Sequence, residues 1–382
     1  MVKKLIEKYG TPLYIYYEEV IEKRIKKVKE VFKNVNFFPT FAVKANNNPN
    51  LLRIIHKNGF GMDILGEGEL YACKLAGIPG DKIVWNGNGK TTKQKEKMKE
   101  YGVKYVNIDS VEEFENLWKN DDEFTLFLRV NPDIDAKTHP YISTGLKNHK
   151  FGVSFDLAEK ILKTGKIQGL HIHIGSQITT IEPFKEAIEK TLELAQKYNI
   201  NKINIGGGWG IKYKKEENEL NLEKYKKEII PILTNFEMVI NEIGRFIIAP
   251  AGILAIKVIL VKETENKNFV VTESGMNHLI RPALYNAYHE IEVLNNQEDN
   301  ITADVVGPLC ESGDFLAKNR KIKKPNPGDI LIVKNVGAYG YSMANNYNGT
   351  TRPVEILIKK DGKDLIIRKG EEISDLYKNV II

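Results

Sequence analysis

A lysine closes a short apolar run in Phe41-Ala-Val-Lys44-Ala-Asn46, where a strand opens onto a polar turn. A lysine so placed packs its stem and holds its amine at a rim. Partial desolvation there lowers its pKa toward what a Schiff-base nucleophile requires. Most strand-end lysines are only solvated heads on packed stems, so the reading depends on what else reaches the same rim. Gly206-Gly-Gly-Trp-Gly210 follows the apolar run 202–205. Successive glycines turn backbone amides outward into a nest for a phosphate dianion, the alternative being a tight turn that needs positive φ. The run is neither a Walker nor a dinucleotide motif, so the phosphate expected is that of a phosphorylated cofactor.

His171-Ile-His173 sets two histidines on one face of a strand. The outer one, His173, is expected at the rim and His171 one layer deeper, as a satisfied core residue; zinc would need further ligands than the sequence clusters there. Ser176 and Gln177 follow with hydroxyl and amide groups. Glu242-Ile-Gly-Arg245 offers a carboxylate that would keep a bound heteroaromatic ring nitrogen protonated, or else a local ion pair. Further along stand Arg281-Pro-Ala-Leu-Tyr285, Cys310-Glu-Ser-Gly-Asp314 and Gly337-Ala-Tyr339. Cys310 taken alone reads as a small buried hydrophobe, but a thiol and two carboxylates within five residues are an unusual loop for a structural role.

The elements that must position these groups alternate. Helices over 21–33, 49–57, 67–76, 91–100, 111–119, 156–164, 183–197 and 222–234 separate short apolar strands near 37–43, 60–64, 82–86, 104–108, 125–130, 167–174, 202–206 and 236–242. Eight such units predict an α/β fold with a (β/α)8 TIM-like barrel over 21–250, ahead of a doubly wound open sheet. Lys44, Asp63, Arg129, His173, Gly206 to Gly208 and Glu242 then fall at the C-terminal ends of six strands, on the rim where such barrels carry their chemistry. From 251 to 382 strand-like runs at 253–263, 268–273, 303–308, 329–334 and 352–360 predict a sandwich- or barrel-like β domain. Residues 1–20, with the alternating Pro12-Leu-Tyr-Ile-Tyr16, are expected to join it as a strand.

Composition bounds the function. Two domains suit 382 residues. The net charge of +6 comes from lysines scattered among glutamates with no nucleic-acid module, so a solvated surface is expected rather than a nucleic-acid partner. An apolar run long enough for a membrane span is lacking, and the N-terminus does not read as a signal peptide. Cys73 and Cys310 suggest neither a disulfide framework nor a zinc site. A cytoplasmic enzyme without a metal fits best.

Taken together the chain resembles the fold-type III (alanine racemase-like) pyridoxal-phosphate-dependent decarboxylases, and among them the diaminopimelate decarboxylase family. The resemblance rests on Ala42-Val-Lys-Ala-Asn46, Gly61-Met-Asp-Ile-Leu-Gly-Glu-Gly-Glu-Leu70, His139-Pro-Tyr-Ile-Ser-Thr-Gly145 and His171-Ile-His-Ile-Gly-Ser-Gln177, together with the later motifs quoted above, and spans essentially the full chain. It implies decarboxylation of meso-2,6-diaminopimelate at its D-centre to L-lysine, with pyridoxal 5'-phosphate held covalently by Lys44. His173 would stack on the cofactor ring, Glu242 would face its nitrogen, and Asp63 and Arg129 would form a polar layer beneath it. Ser176, Gly207 and Gly208 would bind its phosphate, and Gly244, Arg245 and Tyr339 would also contact it. Arg245, Arg281 and Tyr285 would clamp the substrate's distal carboxylate, Glu311 would read its distal amine, and Tyr339 would also touch substrate. Cys310 would donate the proton. Cys310 and Glu311 would come from the partner subunit of a homodimer with shared sites. A related decarboxylase acting on a polyamine precursor such as carboxynorspermidine is the alternative. The chain departs from the family's usual pattern at Ile243, normally proline, at Glu273-Ser274, normally Asp-Ala, and at His278, commonly aspartate. The last three bear on substrate choice, and the polar loop 133–150 is expected to close over the site.

Overall fold

One short apolar strand per helix, repeated eight times, closes on itself in the computed structural model, which describes residues 1–134, 150–294 and 298–382. The motif at 139–145 and most of the loop 133–150 lie outside the described residues. The chain divides into two compact units, one of residues 22–212 with 218–246, the other of residues 1–21, 213–217 and 247–382. Strand β1 (Leu13–Tyr17) belongs to the second. The first is built on β2 (Phe37–Ala42), β3 (Gly61–Ile64), β4 (Ile83–Trp85), β5 (Tyr105–Ile108), β6 (Thr125–Arg129), β7 (Gly169–His171), β8 (Lys202–Asn204) and β9 (Met238–Glu242). All eight are parallel, each pairs with the next, and β9 returns to β2.

The barrel interior has two halves. Phe38, Val84, Tyr105, Phe127, Met238 and Ile240 cluster toward the strand starts. Gly169 is required here, because a Cβ on it would sit 2.3 Å from the Phe127 ring. Toward the strand ends the interior turns polar, with Asp63, Asn107, Arg129, His171, Asn204 and Glu242 all buried. Two expected helices are less regular than a single run. Residues 114–118 continue the turn from Val111–Glu113 as a π segment, and 222–234 breaks at Ile229 ahead of Pro231.

In the other unit β1 pairs antiparallel with β10 (Gly252–Glu263). Its continuation comprises β11 (Asn268–Thr272), β12 (Ile291–Val293), β13 (Asn300–Val306), β14 (Phe315–Lys323), β15 (Ile330–Val333), β16 (Val354–Ile358) and β17 (Asp364–Arg368). These form one sheet in the order β14-β13-β11-β10-β1-β16-β17, with β15 also on β10 and β12 on β15. Leu13, Ile15, Ala255, Ile332, Ile356 and Ile358 bury its centre with Leu5 of the N-terminal helix Val2–Tyr9. Strands β12, β14 and β17 escape the sequence pattern. β14 is apolar only over Phe315 to Ala317 and then mostly charged, β17 has Asp364 and Arg368 at its ends, and β12 is three residues long.

Two departures from the family pattern have structural answers. Ile243 does not leave an exposed N–H at the barrel lip; that group donates to the Thr40 carbonyl at 2.9 Å, sewing the end of β9 to β2. Ser274 and His278 are buried partners, Oγ to Nδ1 at 2.8 Å, and His278 Nε2 donates to the Thr351 carbonyl at 2.9 Å. With Nε2 as donor, the Asn277 amide nearby serves Thr350 Oγ1 instead, at 3.0 Å. Burial lowers the His278 pKa, consistent with a neutral ring whose two nitrogens are both used inside this unit.

Proline at 243 lacks the donor that Ile243 supplies. Ile243→Pro is therefore expected to lower stability by about 1 kcal/mol, measured as a shift in the urea midpoint at unchanged slope.

Candidate active site

The polar half of the barrel is organised around one carboxylate oxygen. Glu242, the last residue of β9, accepts at Oε1 from the side-chain amides of Asn204 at 2.6 Å, Asn86 at 2.7 Å and Asn107 at 3.0 Å. His171 Nε2 stands 3.6 Å from the same oxygen, too far for an ordinary hydrogen bond. These donors come from the end of β8, the residue after β4, and β5. Among the described residues the side-chain hydrogen bonds to the Glu242 carboxylate converge on Oε1, which leaves Oε2 for a ligand. Burial opposes ionisation of Glu242, but His171, His173 and the Asn86 amide outweigh it and hold the carboxyl well below the usual range. Asp63 on β3 accepts from the same Asn86 amide. Burial pushes the Asp63 carboxyl well above its ordinary value, and the charge on Glu242 adds to the rise. The two neighbouring carboxyls are therefore pushed in opposite directions, Glu242 toward the ionised form and Asp63 toward the protonated one.

His173 lies just beyond β7. Its Nδ1 accepts the backbone N–H of Gly207 at 3.0 Å, which places its proton on Nε2. Burial, with the nearby positive charges of Lys44 and Arg129, drives its pKa well below 6.5. The ring is flat, neutral and fixed in orientation. Arg129 is buried against Asp109 at 3.2 Å, with Phe151 4.6 Å from its guanidinium carbon.

These side chains border a cavity of about 270 Å³, lined by Lys44, Asp63, Asn86, Arg129, His171, His173 and Glu242 and flanked by Leu65, Glu69, Gly87, Asn88, Lys150 and Phe151. Lys44 sits in a short 3-10 turn after β2 and is exposed, so its stem is not packed as expected from the strand-end reading; its amine is presented to the cavity by the turn. His171 is likewise no satisfied core residue: neither ring nitrogen has a hydrogen-bond partner among the described residues, and it faces Glu242. The glycine run is only partly an amide nest. Gly206 N–H goes to Asn204 Oδ1 at 2.9 Å and Gly207 N–H to His173, leaving Gly208, at φ +102°, with an amide that has no acceptor among the described residues. The triplet is glycine for closeness too, since a Cβ on Gly207 would lie 2.1 Å from the Glu242 carbonyl oxygen. Beside it Arg245 Nη2 donates to Ser176 Oγ at 2.9 Å, and Gly244 packs against Ala42 and Ala45 with no room for a side chain. The structure therefore gathers Lys44, Asp63, Arg129, His173 and Glu242 around one cavity, with Ser176 and Arg245 joined to each other.

The remaining expected residues lie in the second unit. Arg281 opens the short helix Arg281–Tyr285 and is buried, its Nη1 bonded to Tyr213 Oη at 3.1 Å and to His289 Nε2 at 2.7 Å. Tyr285 is half-buried. Tyr339 adopts φ +59° after Gly337-Ala338. Cys310 and Glu311 are exposed on the loop after β13, and the Cys310 N–H donates to Asn348 Oδ1. Sequence reasoning missed Asn86, Asn107 and Asn204. Each is an asparagine in the last two residues of a barrel strand or just past it, a residue of weak strand propensity that could have marked them.

The donor set fits pyridoxal phosphate. It offers an amine in the cavity, a flat neutral imidazole, an ionised carboxylate with one oxygen uncommitted, and an arginine and hydroxyl beside a spare glycine amide. Among the described residues no cluster of three or more His, Cys, Asp or Glu could hold a metal, and no helix is long and apolar enough to cross a membrane.

Residues 18–249 match the family described as pyridoxal-dependent decarboxylase, pyridoxal binding domain. A diaminopimelate decarboxylase of Aquifex aeolicus is 40% identical over 387 residues, 97% of this chain and 91% of that protein. The crystal structure of diaminopimelate decarboxylase from Helicobacter pylori complexed with L-lysine superposes with a TM-score of 0.93 at 34% identity, covering 99% of this chain and 98% of that one. The enzyme of M. jannaschii in co-complex with L-lysine gives 0.91 at 36% identity, covering 100% and 94%.

A folded-state pKa for His173 below the unfolded value means that the unfolded chain takes up the proton first. Stability contributed by neutral His173 is full above pH 6.5 and is lost as the pH falls below it. In urea titrations of the cofactor-free protein between pH 8 and 5, His173→Asn should flatten that decline; an unchanged slope would reject the assignment.

Proposed function

The chain belongs to the diaminopimelate decarboxylase family of pyridoxal-dependent decarboxylases, and from that membership we propose that it decarboxylates meso-2,6-diaminopimelate at its D-centre, giving L-lysine and CO2. The observation that carries the chemistry is the convergence on Glu242 Oε1 of amides from Asn86, Asn107 and Asn204, which holds an ionised carboxylate at the base of a cavity bearing Lys44 and a neutral His173. The substrate is supported by similarity to diaminopimelate decarboxylases over nearly the whole chain, both units included.

When bound, pyridoxal phosphate supplies the sink for the electron pair that the departing carboxylate leaves behind. Lys44 would hold it and yield it to the substrate amine. Glu242 Oε2 would keep a proton on the ring nitrogen it faces, while the neutral His173 packs flat without competing for that proton. Asp63 and Arg129 would floor the ring. Ser176, Gly208 and Arg245 would take the phosphate, with Gly244 allowing the close approach and Tyr339 adding a hydroxyl. Gly207 would act through His173. Arg281 and Tyr285, with Arg245, would bind the distal carboxylate, a planar group suited to guanidinium. Glu311 would bind the distal amine. The bond from the α-carbon to the carboxylate breaks and a C–H bond forms there, its proton coming from the Cys310 thiol. Cys310 and Glu311 would be delivered by the partner subunit of a homodimer, in keeping with their exposure on a loop.

Incubated with meso-diaminopimelate, L,L-diaminopimelate, ornithine and arginine in turn, the protein is expected to release CO2 and form lysine from the meso isomer alone. Lys44→Ala should lose the activity. Turnover of another of these amino acids in preference to the meso isomer would overturn the substrate reading. If sites are shared, Lys44→Ala and Cys310→Ala, each inactive alone, should regain activity after mixing and subunit exchange; a mixture as inactive as its parts would refute sharing.

A further inference from the structure

Lys90 is the most deeply buried lysine side chain near the cavity, 1% exposed, and no motif points to it. Its ammonium donates to the Asn107 carbonyl at 2.7 Å and to the Gly87 carbonyl, and pairs with Glu113 Oε1 at 3.0 Å. Burying an ammonium costs several kcal/mol unless every proton finds an acceptor. Three acceptors on three elements meet that condition: the loop after β4, β5, and the helix at Val111–Glu113. An ammonium offers three donors and no acceptor, which no neutral side chain of that length supplies.

Both carbonyls belong to the machinery around Glu242. Asn107 sends its own side-chain amide to Glu242 Oε1, and its Nδ2 is also within 2.7 Å of Asn86 Oδ1. Gly87, at φ +103°, follows Asn86 directly and lines the cavity. The far side of the contact is tied down as well. Glu113 Oε1 accepts the Trp118 indole N–H at 2.9 Å, and Oε2 accepts the backbone N–H of Asp109 at 3.1 Å, the residue that pairs with Arg129. One buried cation therefore links the Asp109–Arg129 pair to two of the amides on Glu242.

We propose that Lys90 is a positioning residue for this reaction: by pinning the Gly87 and Asn107 carbonyls it aims the Asn86 and Asn107 amides at Glu242 Oε1 and leaves Oε2 directed at the cofactor. The proposal rests on the reading of Glu242 as the partner of the cofactor's ring nitrogen.

The test uses holoenzyme variants Lys90→Met, Lys90→Gln, Asn107→Leu and the double variant Lys90→Met/Asn107→Leu, with Glu242→Gln as reference. Lys90→Met should lower kcat about tenfold, the size of one misaligned hydrogen bond to a charged group, with KM little changed. It should also move the visible absorption band of bound pyridoxal phosphate in the direction that Glu242→Gln moves it. In the Asn107→Leu background the further loss should be well under tenfold, because the amide that Lys90 aims is gone. Lys90→Gln keeps a neutral donor and provides the same readings if the methionine variant does not fold; its kcat should fall between wild type and the expected methionine value. A shift in band and kcat for Glu242→Gln with none for either Lys90 variant overturns the proposal, as does a Lys90 effect that multiplies in full with Asn107→Leu. An unchanged band and kcat in Glu242→Gln would instead refute the reading of Glu242 on which it rests.

Discussion

A carboxylate kept charged inside a protein is the constraint on which the rest of this site depends. Glu242 is almost wholly buried at the end of β9, where an uncompensated charge would shift its pKa upward and neutralise. The nearby histidines and the asparagine amides on Oε1 oppose that, while burial and the charge on Glu242 push Asp63 the other way. The neutral state of His173 belongs to the same arrangement. A charged imidazole beside Lys44 and Arg129 would be repelled, and the Gly207 amide occupies the nitrogen that would otherwise be free to bind a proton. Charge, tautomer and ring orientation are thus settled by the fold before any ligand arrives, the preorganisation that electrostatic catalysis needs.

The barrel was legible because its strands are buried on both faces and its helices are amphipathic, so the two periodicities alternate cleanly along the chain. The rim followed from strand order: Asp63, Arg129 and Glu242 could be placed by asking what stands at each strand's end. The asparagines were not legible in this way. Asparagine ends strands for many reasons, and only register shows that residues as far apart as Asn86 and Asn204 point at one oxygen. The expected packing of the Lys44 stem failed on the same kind of fact, because a 3-10 turn rather than the strand itself carries the lysine and leaves it exposed. Strands β14 and β17 were missed because their apolar runs are only three residues long, followed by charged residues in β14 and bracketed by Asp364 and Arg368 in β17.

The departures at Ser274 and His278 show how two changes from a family pattern can answer each other inside the fold. Read one at a time, a histidine where aspartate is common suggests a new specificity. Read together, Ser274 and His278 form a hydrogen-bonded pair whose remaining polar nitrogen is satisfied by the Thr351 carbonyl. The side chains complete each other inside the unit, and the second residue explains the first. Ile243 is similar in kind: losing the proline restores a backbone bond to Thr40.

The donors on Glu242 Oε1 also set a limit on how such a barrel can be recombined. The acceptor is carried by β9, and its amides by β8, β5 and the turn after β4. A chimera that takes any one of these strand–helix segments from a distant barrel brings a stranger to a four-sided arrangement. The incoming segment can fold and pack while the carboxylate loses a donor. Segments of this fold are interchangeable as architecture, but in this chain those four are inherited as a block.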